Sequence, residues 1–209
     1  MKNKIKVIGL GPGNIDYITG AGIKAIKNSE VVIGGKRHLN EIEIFLTDQE
    51  KFYLGKLDEM KKYIENNLDK EVAIIVSGDT GYYSLLTYLR NNFPIESLET
   101  IPGISSFQYL FGKLNMTWEK YSLCSVHGRE CDYIKALRNS EAGIVLLTDN
   151  INNPISLSRK LIENGFENIE VIVGEKLSYQ DEKITRFFIE DYKSNIKDYS
   201  MNVTILRKG

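Results

Sequence analysis

The sequence is poor in the residues that build metal centres and disulfide frameworks. Its 209 residues include two cysteines, Cys124 and Cys131, and two histidines. The spacing of the cysteines matches neither a zinc motif nor a redox pair, and two histidines are too few for a rich metal site. We therefore expect no bound metal, and we expect both cysteines to be reduced thiols with a structural role.

The sequence also lacks an excess of either charge and has no long apolar run. It contains 27 basic and 28 acidic residues, for a net charge of −1. This balance gives no support for a broad nucleic-acid-binding surface, although it leaves room for a local basic pocket. No apolar run reaches membrane-spanning length, and the N-terminus lacks the apolar core of a signal peptide. We expect a cytoplasmic protein that binds neither membranes nor nucleic acids.

What the first half of the chain does contain is an alternation of strand and helix patterns. Val72–Val76 is an uninterrupted apolar run, which is typical of a strand inside a parallel sheet. Apolar side chains share one stripe of residues 56–68, which predicts an amphipathic helix, and Thr19 is expected to cap another. Further strands are expected at residues 5–8, 31–33 and 98–101. Such strand–loop–helix units predict a parallel α/β sheet that binds its ligands in loops at the carboxyl ends of the strands.

The alternation of strand and helix patterns stops around residues 112–120, and a different order of elements follows. Pro154 suits the first turn of a helix, and Gly165 suits its end. After Gly174, two strand patterns follow each other without a helix between them, so this sheet should be mixed. We therefore expect two α/β domains, residues 1–113 and residues 114–209. Strands of the second domain are expected at residues 121–126, 143–147, 169–173, 183–189 and 202–206.

Three loops that are expected to follow strands combine glycines with residues suited to ligand binding. The first is GLGPGN at residues 9–14. Its glycines Gly9, Gly11 and Gly13 resemble a dinucleotide-binding loop, but the third glycine comes one position too early for that fingerprint. Pro12 has no N–H to donate to a phosphate. No acidic residue that would hold a ribose follows the strand at residues 31–33. These departures argue against a dinucleotide, and a tight turn without a ligand remains an alternative.

The other two loops are SGDTG at residues 77–81 and PGISS at residues 102–106. The carboxylate of Asp79 can accept hydrogen bonds from ribose hydroxyls or bind a cation, or it can simply cap the next helix. Ser105 and Ser106 open a helix, where hydroxyls and N–H groups can meet a carboxylate or an adenine edge, or where they serve only as caps. No single loop decides between these alternatives, but their order within one α/β domain is more specific.

These loops resemble those of the tetrapyrrole methylases, which are two-lobed, S-adenosylmethionine-dependent enzymes of corrin and sirohaem synthesis. The family pattern reads V-G-x-G-P-G-D with a following L-T, then S-G-D-P, then P-G-x-S-S. The matching segments here are Val7–Asn14 with Thr19, Ser77–Thr80 and Pro102–Ser106. The resemblance extends across nearly the whole chain, including Gly143–Thr148 and Val173–Leu177. Turn-compatible residues depart from the pattern at Asn14, Gly20 and Thr80, where we expect local adjustments rather than loss of the cofactor.

Two further segments are similar to those of the CbiE-type branch of this family, which methylates C5 of precorrin-7 or its cobalt form. Val32–Leu39 matches the V-V-G-G-x-R-H-L segment of that branch, and Ser125–Arg129 matches S-x-H-G-R. The resemblance implies an enzyme of cobalamin synthesis with its active site in the cleft between two domains, and it implies a homodimer. Because two-domain relatives carry a decarboxylating C15-methyltransferase after this domain, we expect a stand-alone C5 enzyme with a separate C15 partner.

The resemblance also implies which residues bind the ligands. Lys36, Arg37 and Arg129 would hold the carboxylates of the macrocycle, although each of them could be a solvated surface charge. His38 and His127 are candidates for a base or for carboxylate partners, and a purely structural role is the alternative for each. Trp118 would stack on the macrocycle or merely pack the domains. S-adenosylmethionine, which leaves as S-adenosylhomocysteine, would contact Leu10, Gly11, Pro12, Gly13, Asp79, Tyr82, Ser105, Ser106, Thr148, Val173 and Gly174.

Other functions remain open at this point. A methylase of another ring position or of uroporphyrinogen is a rival, which the segments at residues 32–39 and 125–129 argue against. A family member that modifies a protein residue, as diphthine synthases do, would lack a cationic trough. From a different class come a nucleotide-binding oxidoreductase and a non-catalytic ligand-binding module.

Overall fold

The computed structural model describes residues 4–209, and the contacts within the chain divide it into two compact units between Ser105 and Ser106. The division expected from the sequence lay between residues 113 and 114. The intervening helix groups with the second unit because its Phe111 ring packs edge-on against Tyr121, with 4.9 Å between ring centroids. Each unit is built around one five-stranded sheet, so the expected α/β fold with a parallel and a mixed sheet is confirmed.

The sheet of the first unit is parallel and has the order β3-β2-β4-β1-β5. Its strands are β1 (Ile5–Gly9), β2 (Val31–Gly34), β3 (Glu50–Tyr53), β4 (Val72–Val76) and β5 (Leu98–Ile101). Its helices are α1 (Gly20–Lys27), α2 (Lys36–Glu41), α3 (Leu57–Glu65) and α4 (Leu86–Asn92), with single 3-10 turns at Ile15–Tyr17, Glu43–Phe45 and Ile95–Ser97.

Helices cover both faces of this sheet, which explains why its central strands are apolar without alternation. On one face, α1 and α2 pack through residues such as Ile26 and Leu39 against Ile8 of β1. On the other face, α3 and α4 pack through residues such as Met60 and Leu89. Each fully buried side chain of this size stabilises the fold by about 1.5–3 kcal/mol.

The three glycine-containing loops leave this sheet side by side. Strands β4, β1 and β5 are consecutive neighbours, so their carboxyl ends lie at one edge. Gly11 and Gly78 form an isolated antiparallel bridge there: Gly11 N–H donates to Gly78 O at 3.1 Å, and Gly78 N–H donates to Gly11 O at 2.9 Å. The three loops therefore gather at the carboxyl edge of a parallel sheet, as predicted, and ligand binding at this edge stays a prediction.

Two glycines let the backbones of these loops approach closely. A Cβ at Gly103 would lie 2.3 Å from Gly78 O and 2.6 Å from Gly9 O. A Cβ at Gly9 would lie 2.6 Å from both Gly103 N and Gly78 O. These neighbours are backbone atoms that cannot rotate away, so the edge tolerates no side chain at residues 9 and 103.

The sheet of the second unit is mixed and has the order β6-β7-β10-β8-β9. Only β6 and β7 are parallel neighbours in the described part of this sheet, and the other neighbours are antiparallel. Its elements are α5 (Ser106–Lys113), β6 (Tyr121–Ser125), α6 (Tyr133–Asn139), β7 (Gly143–Leu147), α7 (Pro154–Glu163), β8 (Ile169–Glu175), β9 (Lys183–Phe188), a 3-10 helix (Ile189–Asn195) and β10 (Asn202–Lys208).

Several boundaries follow from local chemistry that the sequence displays. Thr19 caps α1 by accepting the Gly22 N–H at 3.1 Å, as predicted. Pro154 occupies the first turn of α7 after Asn153, whose side chain accepts from Ile155 N and Ser156 N. Gly165 follows the helix with φ of +75°, as predicted for its end.

The structure corrects other expectations. A 3-10 helix (Ile189–Asn195) lies between β9 and β10, where no helix was expected, because its apolar Ile189 and Tyr192 pack against the core that also contains Leu157 of α7. Residues 36–41, 50–53 and 133–139 form a helix, a strand and a helix that the apolar pattern did not predict. Within residues 4–209, no helix is long and apolar enough to cross a membrane.

Gly103→Ala is expected to destabilise the first unit by about 1–3 kcal/mol, because the added methyl overlaps rigid backbone. Chemical denaturation followed by circular dichroism measures this effect as a lower unfolding midpoint. Gly112→Ala in α5 is the matched control, since a Cβ there meets nothing within 4 Å and alanine favours a helix. An unchanged midpoint for Gly103→Ala would contradict the close approach of the loops.

Candidate functional site

The first loop of the site, residues 9–14, is held by its own backbone. Leu10 N–H donates to Val76 O at 2.9 Å, and the Leu10 side chain is buried. Gly11 has φ of +84° and Gly13 has φ of +147°, conformations that favour glycine. Asn14 accepts the Asp16 N–H at 3.0 Å and caps the 3-10 turn that follows, so this departure from the family pattern keeps a capping residue.

Asp79 lies half-buried just beyond β4, at the same edge of the sheet. Its Oδ2 accepts the Gly81 N–H at 2.7 Å, and within residues 4–209 its Oδ1 accepts no hydrogen bond. The next helix, α4, begins only at Leu86, so Asp79 is not a helix cap. It closes a short turn and retains one carboxylate oxygen for another donor.

The segment after Asp79 is not helical. Thr80 is buried, and its carbonyl accepts a hydrogen bond from Ser84 Oγ. Tyr82 is half-buried and packs edge-on against Tyr83, with 4.8 Å between ring centroids. Tyr83 has φ of +53°, a strained value for an aromatic residue, and such strain concentrates at functional sites.

Ser105 and Ser106 lie beyond β5 at the start of α5. Ser106 is the first residue of the helix, and the buried Ser105 precedes it. The N–H groups of a first helical turn have no partner within the helix and favour negatively charged groups. This placement suits a ligand carboxylate, which is one of the alternatives that the sequence leaves open.

The predicted cationic residues of the first unit lie on α2, which follows β2, the neighbour of β4. Lys36 and Arg37 are exposed in its first turn. Arg37 donates to His38 Nε2 at 2.8 Å. Burial, and then the charge of Arg37, lower the pKa of His38 to about 4, so its imidazole is neutral near pH 7. His38 therefore serves as a hydrogen-bond acceptor for Arg37.

In the second unit, the residues predicted to bind ligands also share one edge. Strand β10 runs antiparallel to both β7 and β8, so β7 and β8 end on the same side. Thr148, just beyond β7, is buried and donates to Asn202 Oδ1 at 2.6 Å. Val173 and Gly174 lie near the end of β8, and a Cβ at Gly174 would lie 2.7 Å from Leu177 Cδ2 and 2.9 Å from Leu110 Cδ1.

The end of β8 continues into a tightly held turn. Buried Glu175 forms an ion pair with Lys197, and Lys176 N–H donates to Met201 O at 3.0 Å. Lys176 has φ of +46° and Ser178 has φ of +70°. This turn fixes the backbone immediately after Val173 and Gly174.

His127 and Arg129 lie in the loop after β6, next to the loop after β7. His127 Nδ1 lies 2.9 Å from the Thr148 carbonyl. Since a carbonyl only accepts, Nδ1 carries the hydrogen and neutral His127 has its lone pair on Nε2. Arg129 is exposed, and its Nε lies 3.4 Å from the His127 carbonyl.

Asp149 is a residue of this site that the motifs did not single out. Its Oδ1 accepts from Ile151 N at 2.9 Å and from Asn152 N at 2.7 Å, and its Oδ2 accepts from Gly128 N at 3.0 Å. These backbone donors, led by those of Asn152 and Gly128, lower the pKa of Asp149. Its placement directly after Thr148, at the end of a buried strand, was the available signal.

Trp118 and the two cysteines contact other side chains of the second unit. Trp118 is 42% exposed and packs edge-on against Phe107, with 5.4 Å between ring centroids. Cys124 and Cys131 are free thiols, and burial, together with the hydrogen bond that the Cys124 thiol donates to Cys131, raises the pKa of Cys124 to about 12. No group of three or more His, Cys, Asp or Glu side chains arranged for a metal is found among residues 4–209.

Comparison with known proteins gives a consistent result. The family model of the tetrapyrrole (corrin/porphyrin) methylases matches residues 4–192. The cobalt-precorrin-7 C(5)-methyltransferase of Salmonella typhimurium is 30% identical over 203 residues, which cover 97% of this chain and 98% of that protein.

Solved structures support the fold. The cobalamin biosynthesis precorrin-6Y methylase of Archaeoglobus fulgidus has a TM-score of 0.77 at 20% identity and covers 99% of this chain and 98% of its own. A uroporphyrin-III C-methyltransferase of Thermus thermophilus complexed with S-adenosylhomocysteine has a TM-score of 0.76 at 19% identity and covers 98% of this chain and 97% of its own.

Proposed function

Because this chain belongs to the tetrapyrrole (corrin/porphyrin) methylases, we propose that it transfers a methyl group from S-adenosylmethionine to C5 of cobalt-precorrin-7 or precorrin-7. The observation that carries the proposal is the similarity to the Salmonella C5-methyltransferase over almost the full length of both proteins. The reaction belongs to cobalamin biosynthesis. The homodimer and the separate C15 enzyme expected from the sequence stay predictions.

The edge of the first unit fits the cofactor by its chemistry. Asp79 presents a carboxylate oxygen suited to the hydroxyls of a ribose. The first turn of α5, which begins the second unit at Ser106, offers N–H groups suited to the methionine carboxylate. Pro12 is partly exposed, so it offers apolar surface and no N–H that would favour a phosphate. The buried side chain of Leu10 does not share this surface. In the second unit, we propose Thr148, Val173 and Gly174 as cofactor residues.

When bound, S-adenosylmethionine would supply an activated methyl group for in-line displacement, with S-adenosylhomocysteine as the leaving group. The macrocycle would gain the methyl group at C5 and give up a proton. No nucleophile of the protein is needed, so the main contribution of the chain is to hold the two reactants in line.

The exposed cations are suited to the substrate, which is a ring carrying several carboxylates. Arg37 and Arg129 can each bind a carboxylate through two N–H groups, and Lys36 adds a point charge. The bond from Arg37 to neutral His38 limits the orientations of the guanidinium. His38 is thus better suited to orient Arg37 than to act as a base.

His127 is the better candidate for the weak base that accepts the departing proton. Its Nδ1–H is held by the Thr148 carbonyl, so its basic nitrogen is Nε2 in the neutral form. The pKa of His38, at about 4, makes that residue a poor proton acceptor near pH 7.

Incubation with methyl-labelled S-adenosylmethionine and precorrin-7, with and without cobalt, tests the function. We expect one added methyl group by mass spectrometry and its position at C5 by carbon NMR. A methyl group at another ring position would make the protein a different tetrapyrrole methylase. Absence of S-adenosylhomocysteine binding in calorimetry, with NAD(P) as the comparison ligand, would refute the methyltransferase assignment.

Asp79→Ala is expected to weaken S-adenosylhomocysteine binding roughly ten- to hundredfold, because a charge-assisted hydrogen bond to the ribose is lost. Calorimetry measures the affinity, and thermal denaturation measures stability. Asp79→Asn is the matched variant, since its amide oxygen can still accept the Gly81 N–H and should restore the turn. If Asp79→Ala lowers only the melting temperature, Asp79 serves the turn alone.

Arg129→Ala is expected to raise KM for the macrocycle roughly tenfold or more and to leave the affinity for S-adenosylhomocysteine unchanged. Steady-state methyl transfer at varied macrocycle concentration measures the change. The control is Arg159→Ala on α7, where an exposed arginine lies 3.9 Å from Glu163. Equal KM values for the two variants would show that Arg129 is a solvated surface charge and does not bind the macrocycle.

A further inference from the structure

We infer that Asp149 is a positioning residue for the macrocycle site, because its carboxylate holds the His127–Arg129 segment against the loop after β7. The inference rests on the proposed function, since it concerns how that site is shaped for its substrate. Asp149 itself is not assigned a contact with either reactant.

The carboxylate of Asp149 joins two loops through different oxygens. Oδ1 accepts from Ile151 N and Asn152 N, and these bonds close a turn within its own loop. Oδ2 accepts from Gly128 N, which lies 21 residues earlier in the chain. One oxygen therefore shapes the local loop, and the other carries the connection between loops.

The hydrogen bond to Asp149 holds the residue that immediately precedes Arg129. Gly128 has φ of +63°, a conformation that a flexible glycine leaves easily when its N–H is not held. The next residue is Arg129, so a rotation at Gly128 moves the guanidinium. The bond that the Gly128 N–H donates to Asp149 therefore selects one backbone conformation and with it one position of Arg129.

Two other hydrogen bonds join the same loops, but neither of them involves Gly128. His127 Nδ1 donates to the Thr148 carbonyl, and Asn152 Nδ2 donates to Val126 O at 3.2 Å. Both fix the first part of the loop, where it leaves β6. Asp149 holds the part that follows, which contains the proposed substrate contact.

Asp149→Asn separates the two roles of the carboxylate. The amide oxygen can still accept from Ile151 N and Asn152 N, whereas the NH2 group would face the Gly128 N–H, and two donors repel. We expect KM for cobalt-precorrin-7 to rise roughly tenfold, with kcat changed less than KM. Affinity for S-adenosylhomocysteine should stay within about twofold of wild type.

The matched control is Asp132→Asn in the same region. Asp132 caps α6 through a single bond from Lys135 N at 3.0 Å, and asparagine caps a helix equally well. Its KM should equal that of the wild type. If Asp149→Asn does not fold, Asp149→Ser replaces it, because a serine hydroxyl can accept from the local N–H groups but is too short to reach Gly128.

Hydrogen exchange of the Gly128 amide gives a readout that is independent of activity. It should be roughly tenfold faster in Asp149→Asn, while amides within β6 keep their wild-type rates. Wild-type KM or wild-type Gly128 exchange in this variant would overturn the inference. So would a loss of S-adenosylhomocysteine affinity as large as the rise in KM. Failure of the wild-type protein to methylate the macrocycle would instead refute the proposed function.

Discussion

The site of the first unit depends on the approach of three backbones at the carboxyl ends of β4, β1 and β5. Gly103 lies so close to Gly78 and Gly9 that a single methyl group would overlap carbonyl oxygens. The loops therefore support one another through backbone atoms, and the positions of Asp79 and Ser105 follow from that support. Small shifts in packed backbone are costly, so this edge is rigid before a ligand arrives.

The same contacts explain why a glycine-rich loop here is unsuited to a phosphate. A phosphate site of this kind needs several N–H groups that point away from the protein. In this loop Leu10 N–H is bonded to Val76 O and Gly11 N–H to Gly78 O, and Pro12 has none. The glycines serve the approach of neighbouring strands, while Pro12 contributes shape. A ligand without phosphates, whose polar groups are an adenine, a ribose and an amino acid, suits such a surface.

The sequence predicted those features whose causes are local. Apolar runs such as Val72–Val76 identify buried strands, and Thr19 and Pro154 identify the starts of helices. Strand β3 was missed because Glu50–Tyr53 is an edge strand of mixed polarity, and α2 because Gly35 makes no side-chain cap bond. The bond that Asp149 accepts from Gly128 depends on the parallel pairing of β6 and β7, which the residues adjacent in sequence do not reveal.

Both units place their proposed ligand residues by one geometric rule. Neighbouring strands that run in the same direction end at the same edge, so residues distant in sequence meet without long loops. In the first unit this rule gathers the loops after β4, β1 and β5. In the second it gathers the loops after β6 and β7, and the antiparallel β10 brings Asn202 to the same edge as a partner for Thr148. The mixed sheet therefore keeps, along one edge, the property that makes parallel sheets suitable for binding sites.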